Sequence, residues 1–349
     1  MRKFIQTIQN IWKIEDLRSR LGVTFLFVLI YRFGSFVVLP GIDPTALTAL
    51  QAQTAGGLMA LLDMFSGGAF SNASIFALGI MPYISASIVI QLLTIAVPYF
   101  QKMQKEGESG RQKMNQITRY LTVAILLFQG PSYLVNLSVQ MAQAGQAVAV
   151  GFNWFTISST ILLCAGSMFV MWLGERITDR GIGNGISFII LIGIIARFPA
   201  ALVQEFSSRL NEGGGLMLFI LEIIILLFVF AFAILLVQGT RRIPVQYAKR
   251  MVGNKQYGGV RQYIPLKVNS ANVMPIIFAQ AIMFIPIALA GFSTSETASA
   301  FTRAFMNNDG FWYNAVFALL IIVFTYFYTA IIINPVQMAE NLKLNNGFI

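Results

Sequence analysis

IFALGIMPYISASIVIQLLT, residues 75–94, contains no charged side chain. Continued to Val97, it supplies the roughly 20 apolar residues that a helix needs to cross about 30 Å of hydrocarbon. Seven more such runs read Leu21–Leu39, Tyr120–Val139, Trp154–Leu173, Gly185–Val203, Leu216–Val237, Val273–Phe292 and Trp312–Ile333. Backbone in lipid has no water to bond, so these runs must close their hydrogen bonds internally as helices. Composition agrees: of 349 residues 56% are hydrophobic and only 11% charged, against about 25% charged in globular domains. The expected fold class is an all-α polytopic integral membrane protein with eight crossings.

Charge sets the orientation. The formal net charge is +10, which in a soluble chain would suggest nucleic acid, but the basic residues follow the loops. Residues 1–20 form an amphipathic terminus carrying Arg2, Lys3, Lys13, Arg18 and Arg20. Lys102, Lys105, Arg111, Lys113 and Arg119 lie between the second and third runs, and Arg176 and Arg180 follow the fourth. The connection 239–271 holds Arg241, Arg242, Lys249, Arg250, Lys255, Arg261 and Lys267 with no acidic residue. By the positive-inside bias these segments and the N-terminus are cytoplasmic. Most of the excess charge is therefore topology, and no DNA partner is implied.

Other classes lack their residues. With no histidine and only Cys164, a thiol-rich metal site, a disulfide framework and a His-dependent triad are excluded. No metal and no cofactor is expected. There is no G-x-x-x-x-G-K-[ST] phosphate loop, so energy for any transport must come from outside. A secondary solute transporter is the alternative, but it calls for coupling carboxylates at mid-membrane. Only Arg32 and Glu222 are read as embedded charges. Arg32 lies about 10 Å of helix before Leu39 and is expected to snorkel to the outer interface; Glu222 is given no role.

LMALLDMFSGGAF, residues 58–70, is amphipathic, with Leu58, Leu61, Leu62 and Phe65 on one helical face before Gly67 and Gly68 break it. It is too short to span, so its stripe lies on the outer membrane surface or folds back between helices. Residues 75–94, which follow it, closely resemble the second helix of the SecY family of protein-conducting channels. MFSGGAFSNAS (64–74) is similar to that family's plug, KEGESGRQK (105–113) to its first cytoplasmic loop, and GERITDRGIGNGISF (174–188) to the entry of its fifth helix. RRIPVQYAKR (241–250), PLKVNSANVMP (265–275) and NPVQMAENL (334–342) match in order as well.

The resemblance implies a bundle with pseudo-inverted halves: residues 21–204 with a re-entrant plug at about 58–74, and residues 205–349 as part of the second half. The family's ten crossings would leave two helices and a loop beyond Ile349, so this polypeptide alone is expected to be inactive or leaky. A pore collar maps onto Ile80, Ile84, Ile186, Ile190 and Ile277, and the plug tip onto Phe65, Ser66, Gly67 and Gly68. The i, i+4 spacing of Ile80 with Ile84 and of Ile186 with Ile190 puts each pair on one helix face. Gln91 and Asn272 are polar candidates on the gate helices that open toward lipid.

Gly181, Gly183 and Gly185 imitate a dinucleotide loop, but no strand precedes them, and close helix packing is the better explanation. Loop 239–271 is expected to project as a strand pair, with a hairpin-type Gly253-Asn254. Lys105, Arg111, Arg241, Arg242, Lys249, Arg250 and Lys255 are the candidate contacts to ribosome or motor. Its tip, Asn254-Lys255-Gln256, carries less positive charge than many relatives. Implied partners are SecE, SecG, the SecA ATPase, the ribosome, secretory polypeptides and membrane lipids, in a bacterial inner membrane. Cysteines placed at Phe65 and Ile277 should crosslink in the closed state; consistent failure refutes the plug assignment.

Overall fold

The computed structural model describes residues 12–42, 63–143, 154–211, 215–247, 250–252, 255–257, 261–290, 310–333, 335–344 and 347–348. In chain order the helices are α1 Glu15–Gly34, α2 Met81–Ala96, α3 Pro98–Lys105, α4 Glu108–Gln143, α5 Trp154–Arg180, α6 Gly185–Asn211 and α7 Gly215–Gln238. Strands β1 Thr240–Tyr247, β2 Arg250–Val252, β3 Lys255–Tyr257 and β4 Arg261–Lys267 follow. The chain continues with α8 Met274–Ala290, α9 Phe311–Ile332, α10 Pro335–Leu344 and β5 Gly347–Phe348. Residues 58–62 of the amphipathic stretch lie outside the described residues, as do Lys249, Gly253 and Asn254.

The chain divides into two compact units, Met1–Leu202 with Ala281–Asn314, and Val203–Gln280 with Ala315–Ile349. In the first, α2 packs on α4, α4 on α5, and α1 on α5. Helix α5 is its axis. Ser159, Leu163, Gly166, Val170, Leu173 and Ile177 are all buried, a three-and-four spacing that presents one stripe to the neighbours. Leu39, Phe70, Ala77, Leu126, Leu134 and Leu163 share the core with Tyr133. An aromatic ladder runs beside it: Tyr31 stacks on Phe76 at 6.2 Å, Phe76 on Phe169 at 5.9 Å and Phe169 on Trp172 at 5.7 Å. The Arg176 guanidinium caps it, 5.5 Å over Trp172.

Among the described residues, four helices are long and apolar enough to cross a membrane: Trp154–Arg180, Gly185–Leu210, Leu216–Gln238 and Phe311–Ala330. A fifth follows if the bent pair Met81–Thr94 and Pro98–Gln104 counts as one span. The other expected crossings depart for local reasons. Helix α1 starts among charges at Glu15 and stops at Gly34, short of Leu39. The second run becomes helical only at Met81, where Pro82 suits a first turn, because residues 75–80 are spent on turns. Helix α4 begins at Glu108, well before Tyr120, and runs 36 residues, whereas α8 has 17.

In the second unit, the membrane-crossing window of α7 has a mean hydropathy of 3.2 and none of it is buried, the pattern of a helix bathed in lipid. Its Glu222 is paired with Arg209 at 2.6 Å, and Arg209 also holds Glu205 at 2.8 Å. The basic connection forms the expected strand pair: β1 and β4 are antiparallel, with Ile243 opposite Ile264 and Arg242 opposite Pro265. β5 adds to the other edge of β1. β2 and β3 also pair, Val252 opposite Lys255, which leaves two residues to connect them, the commonest hairpin length.

The three glycines at the α5–α6 turn divide their tasks. A Cβ on Gly185 would fall 2.0 Å from the Gly174 carbonyl oxygen and one on Gly181 2.5 Å from Thr24 Oγ1, so close packing explains both. Gly183 has open space around it and φ +70°; there the left-handed turn is the reason for glycine. Asn184 then accepts the amides of Ile186 and Ser187 at 3.1 and 3.3 Å and so caps α6.

Gly166 on α5 faces the carbonyl oxygen of Ile75, which would lie 2.2 Å from an added Cβ. Gly166→Ala must push α5 away from backbone, at a cost of about 1–3 kcal/mol. Gly22→Ala on α1, where an added Cβ meets nothing, should be neutral or slightly stabilising. Thermal unfolding in detergent checks both: the midpoint falls for Gly166→Ala and holds or rises for Gly22→Ala.

Candidate functional site

Between α1 and α2 the chain folds back into the first unit. Residues 63–65 make one helical turn and 66–80 continue as turns, yet Ser66 to Phe70, Ser71, Ala73 and Ser74 are all buried. Irregular backbone survives at such depth only when protein groups satisfy its polar atoms. Here they do. Leu39 N–H donates to Ala73 O at 2.9 Å and Ile75 N–H to Val37 O at 3.0 Å, around an antiparallel bridge between Val38 and Ser74. Tyr31 donates its hydroxyl to Ser66 O at 3.1 Å, and Tyr133 to Phe70 O at 2.9 Å.

Two arginines complete the set. Arg32 of α1 donates from Nη1 to Gly67 O at 2.8 Å and lies 5.3 Å over the Phe36 ring. It does not simply snorkel as expected, because an acceptor stands within reach of its helix. Arg197 of α6 pairs through Nη2 with Asp63 Oδ2 and donates to Ser71 Oγ at 2.8 Å. Asp63 is 1% exposed, and its other oxygen accepts the Ser71 amide at 2.8 Å. Asp63 is thus held at one oxygen by a cation and at the other by its own loop. Arg197 keeps about half of its side chain exposed. The pair therefore ranks above the ~0–1 kcal/mol of a surface ion pair and below the ~3–5 kcal/mol lost when a fully buried pair is broken.

Gly67 sits at φ +66°, and an added Cβ would be 2.9 Å from Arg32 Nη1 and 3.0 Å from Gly193 Cα. A Cβ on Gly193 would in turn meet Phe65 O at 2.7 Å. Glycine on both sides lets the loop lie directly on α6.

The site candidates fall around this loop. Ile80 occupies the position just before α2 without a side-chain capping bond, and Ile84 follows one turn later; both are buried. Ser66 lies against the preceding residue, since a Cβ on Gly79 would be 3.8 Å from Ser66 Cβ. Gly193, the contact of Gly67, is three residues beyond Ile190 on α6. Ile186 leans on α5, its Cγ1 being 3.1 Å from where a Gly174 Cβ would stand. Ile277 is buried in the first turns of α8 and belongs to the second unit. Gln91 is half-buried on α2. Asn272 precedes α8 rather than riding on it: its φ is +51°, and its amide donates to Asn269 Oδ1 at 3.0 Å, a left-handed turn that asparagine tolerates.

Of the basic candidates, Arg111, Arg241 and Arg242 are exposed, Lys105 closes α3, and Arg250 and Lys255 begin β2 and β3. Sequence reading passed over Asp63 and Arg197. A signal was there: Asp63 is the only acidic residue between Asp43 and Glu106, and Arg197 the only charge between Arg180 and Glu205. Isolated charges at membrane depth call for a partner.

Residues 74–349 match the SecY family. The protein translocase subunit SecY of Streptomyces scabiei is 42% identical over 347 residues, covering 97% of this chain and 79% of that protein. That of Thermotoga maritima is 41% identical over 352 residues, 99% of this chain and 79% of its own length. Among solved structures, one described as a protein conducting channel matches with TM-score 0.51 at 18% identity, over 78% of this chain and 58% of its own. A second, a SecY channel whose plug domain is described as stabilising the closed state and maintaining a membrane seal, matches at 0.52, also at 18% identity, over 78% of this chain and 58% of its own. The chain thus spans about four fifths of the curated relatives and under two thirds of the solved ones. With a family match over most of its length and this level of identity, the chain belongs to the SecY family.

Proposed function

We propose that this chain is a protein-conducting channel subunit that passes unfolded secretory polypeptides across the bacterial inner membrane and releases apolar segments sideways into lipid, with the N-terminus cytoplasmic. The observation that carries the reading is the buried loop 63–74, folded back among helices and held by Arg32 and Arg197. A peptide backbone in hydrocarbon leaves unpaired polar groups at several kcal/mol each, so its route must be lined by protein and water. An open route would leak ions. A collar of branched aliphatic side chains at Ile80, Ile84, Ile186, Ile190 and Ile277, stoppered by Phe65 to Gly68, dewets when empty and yields when threaded.

The embedded carboxylates speak against a solute transporter, since Asp63 and Glu222 are each committed to an arginine. The chain is a conduit and not an enzyme; SecA or the translating ribosome supplies the work, and SecE and SecG complete the assembly. The chain divides into its two halves at about residue 204, and Gln91 and Asn272 belong to the gate toward lipid. The exposed Arg241 and Arg242 on the β1–β4 ribbon, with Arg111 and the basic ends of α3, β2 and β3, offer phosphate contacts.

Reconstitution into vesicles with purified SecE and SecA, together with the C-terminal fifth of a curated relative that this chain does not cover, tests the reading: preprotein should become protected from protease, and absence of protection would overturn it. Deleting residues 63–72 should raise the ion conductance of the resting complex by an order of magnitude or more. Ribosome binding should weaken steeply with salt, and Arg241→Ala with Arg242→Ala should flatten the log–log slope by about one unit per lost phosphate contact; a flat dependence in the unaltered complex removes the ribosome role.

A further inference from the structure

One guanidinium grips both ends of the buried loop. Arg197 Nη2 reaches the Asp63 carboxylate and the Ser71 hydroxyl, eight residues apart in sequence, while Arg32 holds the Gly67 carbonyl between them. The cations ride on α6 and α1, and the anion rides on the loop itself. Apolar burial does not hold the tip in the same way: Phe70 and Ala73 are anchored in the core, but Met64 and Phe65 are only half-buried and the next three residues are Ser66, Gly67 and Gly68.

We propose that Asp63 and Arg197 form a latch that keeps residues 63–71 seated, with Arg32 as a second catch, so that the segment leaves only when this ion pair is broken. The inference rests on reading 63–74 as the plug. Asp63 is the part that must move, and its carboxylate exchanges a dry site for water when it does. Arg197 is exposed along half of its surface, so water that enters with a polypeptide reaches the pair from the Arg197 side and weakens it by raising the local dielectric. The latch is then strong in the closed channel and weak once the channel has begun to fill. Asp63 and Arg197 are positioning residues in this scheme; neither need touch the passing chain.

The test measures seating directly. In a Cys164→Ala background, Ser66→Cys reports on the loop, because Ser66 is 4% exposed; the rate of its modification by a small maleimide is followed by mass in membrane vesicles holding the complete translocase. Asp63→Asn, which keeps an acceptor for the Ser71 amide, and Arg197→Gln should each raise that rate about tenfold. The double variant should be no faster than the faster single one, because both remove the same link. Ser167→Cys, also buried but on α5, should keep its rate in all three. An unchanged rate at Ser66→Cys, additive effects in the double variant, or equal acceleration at Ser167→Cys overturns the latch. A stalled preprotein supplies the separate control: it should accelerate labelling at Ser66→Cys in the unlatched and latched proteins alike, and if it does not, the plug reading falls while the latch is judged on the variants alone.

Discussion

Backbone that is neither helix nor strand, held at membrane depth, must find a protein partner for every polar atom it carries. That constraint shapes the first unit. The loop 63–80 is buried but irregular, and the groups that satisfy it come from α1, α4 and α6: two tyrosine hydroxyls, two guanidiniums and a short length of strand pairing. The small residues follow from the same demand, because Gly67 against Gly193 and Ile75 against Gly166 are places where backbone meets backbone. Without those close approaches the donors would stand too far from their acceptors.

The two units solve different problems. In the first, α5 is buried along a full stripe and fixes its neighbours. In the second, α7 leaves its apolar surface exposed over its membrane-crossing length, and the basic ribbon β1–β4 carries Arg241 and Arg242 exposed. The embedded acids are handled alike in both: each is tied to an arginine, Asp63 to Arg197 of α6 and Glu222 of α7 to Arg209 of α6. A membrane protein built to couple a proton or a sodium ion would keep such groups available; this one spends them on structure.

The helical class, the main apolar runs and the strand-paired basic loop were legible because they depend on local composition and alternation. Boundaries were not. Six residues of the second run are turns because they belong to the loop's packing, and no periodicity within 75–80 announces it. Arg32 was read as snorkelling because its acceptor, Gly67 O, lies 35 residues away, a distance that spacing along one helix cannot bridge. Asp63 and Arg197 were visible as solitary charges, but their pairing depends on how α6 lies against the loop. The spacing of Ile80 and Ile84 does not show that Ile80 stands just before α2; that Ile186 leans on Gly174 is a matter of tertiary contact.

The bridge between Val38 and Ser74 has a mechanical meaning. It fastens the downstream end of the loop to the chain just after α1, at a point that the core also holds through Leu39 and Ala73. Whatever motion residues 63–73 undergo is therefore tethered at that end, with a reach bounded by eleven extended residues, about 40 Å. A segment on so short a leash, once displaced, still lies within reach of the seat it left.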